Sequence, residues 1–206
     1  MLDLAAGTGK LTRQLVPVGA ELIAVEPVPG MRRKLAEILP GVRTLEGTAE
    51  ELPLEGGSVD AVFCAQAFHW FEADRALDEI HRVLRPHGGL ALIWNVRDET
   101  VEWERRLSEL FKQYAANAPR KHWGRWRGAF ERTALFTPLE ERRFSHHQEG
   151  DVDTMLARVA SISFVSALAD EERHEFLAEV RKLVEPVGSP LVMHYKTEVY
   201  WCRRRD

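Results

Sequence analysis

The chain predicts an α/β fold, doubly wound around a parallel sheet, and two observations carry that expectation. An apolar strand, Leu2-Asp3-Leu4, runs straight into a glycine-bearing turn, Ala5-Ala6-Gly7-Thr8-Gly9, and then into an amphipathic helix. Such domains floor a ligand crevice in this way, outside the carboxyl ends of the strands. Short apolar runs then alternate with helical patterns through the first half, and that alternation implies parallel strands joined by crossovers.

Taken in order, strands are expected over 1–5, 21–26, 42–46, 59–65 and 89–95, with helices between them. The segment 73–84 places Ala76, Leu77, Ile80, Val83 and Leu84 on one face at helical spacing, and Pro86 with Gly88-Gly89 ends it. After Asp98 the pattern changes. A long helix carries Trp103, Leu107, Leu110, Phe111 and Tyr114 on one face until Pro119 stops it. A basic, aromatic stretch follows at 120–128, then a strand over 139–147, helices over 152–163 and 171–184, and an alternating strand from Leu191 to Trp201. No internal repeat, low-complexity tract or interdomain linker interrupts this order, so 206 residues read as one domain with a substantial core.

Composition narrows the class without naming a function. Hydrophobic residues at 45% and charged residues at 29% are ordinary for a globular protein. A net charge of -4 argues against general nucleic-acid binding, which needs a basic surface. Two cysteines, Cys64 and Cys202, offer neither a disulfide framework nor a cysteine zinc cluster. No apolar run approaches the ~20 residues needed to cross a bilayer, and no signal peptide precedes the first strand, so the expected compartment is the cytoplasm.

The first turn decides among cofactor classes by its spacing. A P-loop needs glycine where Leu4 stands and a hydroxyl where Leu11 stands. A dinucleotide fingerprint needs a small residue where Thr12 stands. What remains is a strand-end acid, a small-small-Gly-x-Gly turn, and a second acid, Glu26, closing the next apolar run Leu22-Ile23-Ala24-Val25. An acid there accepts both hydroxyls of a ribose, while the turn meets a charged, phosphate-free group.

Four segments in this order resemble the class I S-adenosylmethionine-dependent methyltransferases, in particular small-molecule enzymes of the methyltransferase type 11 kind. Asp3 to Gly9 is similar to the methionine-binding loop, with Ala5 in place of its usual first glycine. Val25-Glu26-Pro27 sits where the ribose-binding acid sits. Gly47 to Pro53 is similar to the adenine-side loop, with contacts implied at Ala49 and Glu50. Ser58 to Phe71 resembles the fourth strand and the loop beneath the substrate, and its Ala-Phe-His-Trp-Phe string resembles a subgroup that includes trans-aconitate methyltransferase-like proteins.

The resemblance implies a Rossmann-like, seven-stranded, mostly parallel sheet closed by the antiparallel pair of final strands, with the helices at 152–184 inserted as a lid. It divides the chain into a cofactor-binding core (1–98), substrate-side helices and lid (99–190) and a closing strand (191–206). The implied cofactor is S-adenosyl-L-methionine, held by Asp3, Ala5, Gly7, Gly9, Glu26, Pro27, Ala49, Glu50 and Gln66. His69 is the candidate general base, since imidazole accepts a proton near neutral pH, and a backbone-bonded, loop-shaping His69 is the alternative. Phe68, Trp70, Trp123 and Arg125 are the candidate substrate contacts. Arg125 among tryptophans suits capture of a carboxylate, stacking on single-stranded nucleic acid, or simple packing. No Asn/Asp-Pro-Pro-aromatic string and no Pro-Cys pair follows the fourth strand, so the expected acceptor is a small molecule, with carboxylic acids among the candidates. A binding or interaction module without catalysis, a nicotinamide-dependent reductase and an RNA methyltransferase are the competing classes. No metal site and no membrane partner are expected, and the oligomeric state is open. Met1 falls where the family's first strand begins, so the helical arm that usually precedes it is expected to be missing, as in a truncated form of a longer protein.

Overall fold

A computed structural model describes residues 1–114 and 126–206. Its centre is built from short parallel strands that are buried on both faces. In β1 (Leu2–Leu4) and β2 (Ile23–Val25) every residue is buried, which is why these strands read as unbroken apolar runs rather than alternating ones. Leu2 pairs with Ile23 on one side and with Val62 on the other. β3 (Arg43–Leu45) extends the sheet beyond β2, and β4 (Val59–Ala65) and β5 (Leu84–Arg97) extend it beyond β1. β6 (Glu140–Gly150) and β7 (Leu191–Arg203) complete seven strands in the order β3-β2-β1-β4-β5-β7-β6, the last two antiparallel. The helices are α1 (Thr12–Leu15), α2 (Pro29–Ile38), α3 (Ala73–Val83), α4 (Glu102–Tyr114), α5 (Trp126–Arg132), α6 (Val152–Ala160), α7 (Ser163–Ser166) and α8 (Asp170–Val184).

The chain leaves β1 toward β2 and β3 and then returns to β4 on the opposite side of β1. The carboxyl ends of β1 and β4 therefore flank the point where strand order reverses, and a crevice belongs there.

Among the described residues, one compact unit comprises 1–94, 126–142 and 198–206, and a second comprises 95–114 and 143–197. The first unit packs Leu2, Leu4, Val62, Leu77, Ile80 and Leu90 at its centre. Trp126 stacks on Trp94 with ring centroids 4.5 Å apart, and Tyr200 meets Trp126 edge-on at 5.2 Å. The second unit has a core of its own, in which Leu107 and Phe111 of α4 meet Met155 and Val159 of α6, Phe176 and Val180 of α8, and Leu191 and Met193 of β7. Glu104 ties α4 to β7. It is fully buried, and its Oε1 accepts both the backbone N–H and the Nδ1 of His194 at 2.8 Å each.

Three local expectations need correction. No helix joins β3 to β4; residues 46–58 form a loop with one bridge, Thr48 to Glu51. Gly47 and Pro53 account for this, because a Cβ at Gly47 would meet the Pro53 ring at 2.5 Å, so the backbone folds back on itself tightly. β5 begins at Leu84 rather than 89, immediately after α3, with a register shift against β4 between Val59 and Ala61 and a left-handed His87. Pro86 and the two glycines end the helix as expected, but a bulged strand tolerates them. The helix expected over 152–163 stops at Ala160, and a separate short helix follows.

Candidate functional site

β1, which carries Asp3 at its middle, runs into a tight turn of unusual backbone. Ala5, Gly7 and Gly9 all have positive φ, at 54°, 59° and 83°. Glycine adopts that region freely, whereas an alanine there is strained by about 1–2 kcal/mol. Gln66, at the end of β4, is left-handed as well, with φ 57°. Non-glycine residues in this region collect at ligand sites, where the surrounding structure holds them. Two of the three among the described residues lie at the ends of the two strands that flank the reversal point.

Asp3 is buried and accepts a 2.6 Å hydrogen bond from the Thr12 hydroxyl at the start of α1. Burial pushes its carboxyl up to about 6, the Thr12 hydrogen bonds oppose that rise, and the charge of Glu26 adds to it. No cation pairs with it among the described residues. Glu26, also buried, closes β2 and fastens the turn from the other side. Its Oε2 accepts from the Gly7 amide at 2.8 Å and its Oε1 from the Val28 amide at 2.9 Å. The Ala6 amide donates to Val25 O at 3.1 Å, which completes the tie between turn and strand. Each carboxylate oxygen keeps a second lone pair for an outside donor. Above Gly7 the way is open, since a Cβ built there would meet no atom within 4 Å.

Gly9 serves a different purpose. A Cβ there would lie 3.2 Å from Leu35 and 3.3 Å from Leu39, both on or ending α2, so its absence lets helix and turn pack closely. Gly9→Ala should cost about 1–3 kcal/mol through strain and crowding combined, read as a lower urea midpoint with an unchanged slope.

The remaining sequence candidates fall around this turn or away from it. Pro27 is exposed just past Glu26, and its carbonyl, like that of Glu26, accepts from Arg32, which also pairs with Glu46 at 2.6 Å. Ala49 is buried in the loop beyond β3, and Glu50 accepts the Glu72 amide at 2.8 Å. The structure thus gathers Asp3, Ala5, Gly7, Gly9, Glu26, Pro27, Ala49, Glu50 and Gln66 at the carboxyl ends of four adjoining parallel strands. His69 and Trp70 follow in a single 3-10 turn (Phe68–Trp70). Burial lowers the His69 pKa below its ordinary value, so the ring is neutral at pH 7, and it lies 5.0 Å from the Trp70 ring. Trp70 is 49% exposed. Phe68 is not on a surface: it is buried against Phe71 and Phe130, at 5.4 and 5.5 Å, and it acts as core packing. Trp123 and Arg125 lie outside the described residues.

Sequence reasoning took Thr12 only as a departure from the dinucleotide pattern; it is the hydroxyl that holds Asp3. The signal available was the mismatch itself, a hydroxyl facing back toward a strand-end acid. Arg32 was missed as well, because nothing local marks a helical arginine as the clasp of two strand ends.

A family profile described as a methyltransferase domain matches residues 2–92. An uncharacterized methyltransferase-like protein of Schizosaccharomyces pombe is 36% identical over 188 residues, covering 91% of this chain and 73% of that protein. The chain belongs to the class I S-adenosylmethionine-dependent methyltransferases. An uncharacterized methyltransferase of Mycobacterium tuberculosis is 54% identical over 110 residues, 53% of this chain, and the match spans 45% of that relative's length. Among solved structures, phosphoethanolamine N-methyltransferase 2 of Haemonchus contortus in complex with S-adenosyl-L-methionine superposes with a TM-score of 0.62 at 17% identity, covering all of this methyltransferase and 48% of that chain. That likeness is one of fold.

Proposed function

We propose that this chain binds S-adenosyl-L-methionine in the crevice above Gly7 and transfers its methyl group to a small-molecule acceptor, with carboxylic acids the first class to test. The observation that carries the reading is the pairing of two buried carboxylates around an open glycine face. Asp3 is an anion with no cation paired to it among the described residues, and Glu26 has lone pairs to spare on oxygens already fixed by amides. A ligand with a cationic end and a pair of hydroxyls answers both needs, whereas a dinucleotide offers Glu26 its ribose hydroxyls but brings a pyrophosphate, not a cation, to the turn beside Asp3. The bound cofactor supplies an electrophilic sulfonium methyl. The protein's task is then to hold a nucleophile in line with it and to exclude water, for which little acid–base chemistry is required. Where the acceptor must lose a proton, the neutral ring of His69 is the nearby group able to take it.

Calorimetric titration with S-adenosylmethionine and S-adenosylhomocysteine tests the reading. Binding by the native chain that is lost by at least ~100-fold in Glu26→Ala is the expected result, since that change frees the Gly7 amide and removes both hydroxyl acceptors. Retention of full affinity by a folded Glu26→Ala protein overturns it. A retained preference for NAD over S-adenosylmethionine would favour the reductase class instead.

A further inference from the structure

The second unit holds two arginines that form no ion pair within 4 Å among the described residues, although the charges of Glu104 and Glu99 reach Arg97. Arg97, at the end of β5, lays its guanidinium 4.0 Å over the Phe111 ring and donates through Nε to the Ser108 hydroxyl at 3.3 Å. Among the described residues its two terminal nitrogens have no acceptor. The Asp98 amide donates to His194 O at 2.9 Å, and in an antiparallel pair that register sets Arg97 opposite Tyr195 on β7. The Tyr195 hydroxyl donates only to the Met193 thioether at 3.5 Å, a weak acceptor, while its ring stacks on His146 at 5.4 Å. Arg158, on α6, donates to the Gln148 side-chain carbonyl and lines a small cavity with Thr154 and Met193. The charges of Arg97 and Arg158 both act on the Tyr195 phenol, which burial keeps protonated and so able to donate.

Glu104 is the acid whose charge reaches both Arg97 and Tyr195, Glu99 pairs with Lys112 at 3.5 Å, and the other neighbouring acids have partners of their own. Asp98 holds Lys196 at 2.8 Å, Asp153 holds Arg181 at 2.6 Å, Asp151 caps α6 through the Thr154 amide at 2.7 Å, and Glu104 gives Oε1 to His194. Half-buried cations without ion pairs are costly, and two of them around one phenol, against the single carboxylate of Glu104, leave the region short of an anion. The planar fork of an arginine fits a carboxylate best when a second donor completes the cradle.

We propose that Arg97, Tyr195 and Arg158 form a binding site for the carboxylate group of a small molecule. The site stands on the second unit alone and does not depend on the methyl-transfer reading. The test is calorimetric titration of the full chain with sodium malonate, and separately with inorganic phosphate, both without cofactor. Malonate should bind, with affinity falling at least ~10-fold in Arg97→Gln and in Arg158→Gln and several-fold in Tyr195→Phe. Tyr195→Phe removes one oxygen and leaves the ring on His146, so it reports on the site even where Arg97→Gln fails to fold. Absence of malonate binding by the native chain, unchanged affinity in both Tyr195→Phe and Arg158→Gln, or tighter binding of phosphate than of malonate overturns the proposal. A chain that binds S-adenosylmethionine but not malonate refutes the anion site and spares the cofactor crevice; the reverse result refutes the crevice and spares the anion site.

Discussion

Asp3→Asn should stabilise the protein at pH 8 and, on the proposed reading, remove most of its affinity for S-adenosylmethionine. The folded carboxyl titrates at about 6 against 3.8 when unexposed to the fold's influence, so the folded state holds the proton more tightly. Above pH 6 the ionised group subtracts from stability, by up to about 3 kcal/mol for a shift of that size. That cost fades as pH falls from 6 to 4 and is absent below 4. The asparagine keeps the shape and an acceptor for Thr12 while removing the charge. Urea unfolding should therefore show the variant ahead of the native chain at pH 8 and the two equal at pH 4. Equal stability at pH 8 would mean that the buried charge carries no cost. A cationic ligand end reverses the account, because it stabilises the anion that the empty protein penalises. Cofactor binding by the native chain should then release protons between pH 5 and 6, and calorimetry in buffers of different ionisation enthalpy would detect them. Asp3→Asn should release none.

Glu104→Ala should be the most damaging substitution in the second unit, at about 3–4 kcal/mol. One fully buried oxygen accepts two donors from His194, so alanine strands a backbone amide and leaves a hole between α4 and β7. Glu104→Gln keeps a carbonyl acceptor in the same place and should lose less than half as much. Thermal unfolding of the two variants beside the native chain checks this. A glutamine variant as unstable as the alanine one would show that the carboxylate's charge, rather than its hydrogen bonds, joins the helix to the strand.

The centre of the fold was legible in the sequence because its strands are buried on both faces and its turn cannot be built without glycine. Leu2 to Leu4 and Ile23 to Val25 had no polar residue to misplace except the acid that ends up in the crevice. Helix ends were read less well. Pro86 and Gly88-Gly89 stop a helix, but whether the next residues form a loop or a bulged strand depends on β4 lying alongside, and local sequence holds no record of that. The site followed the same division. Asp3, Gly7, Gly9 and Glu26 declare themselves by spacing within a strand–turn–helix unit. Phe68 did not, since an aromatic residue after a strand end can face a pocket or the core, and here Phe130 from a distant helix settles it. Arg97 and Tyr195 are nearly a hundred positions apart in sequence and meet only through the pairing of β5 with β7.

The left-handed backbone at Ala5 and Gln66 has a kinetic consequence. Among the described residues both turns are fixed by the chain's own hydrogen bonds, from the Ala6 amide to Val25 O and from the Gln66 amide to Ile93 O, so this part of the rim needs no folding to accept a molecule. Entry then needs only an encounter in the right orientation, and the time course of association should follow ligand concentration linearly, with no plateau from a slow isomerisation. Differences in affinity among ligands that share the nucleoside end should accordingly be written in how long each one stays.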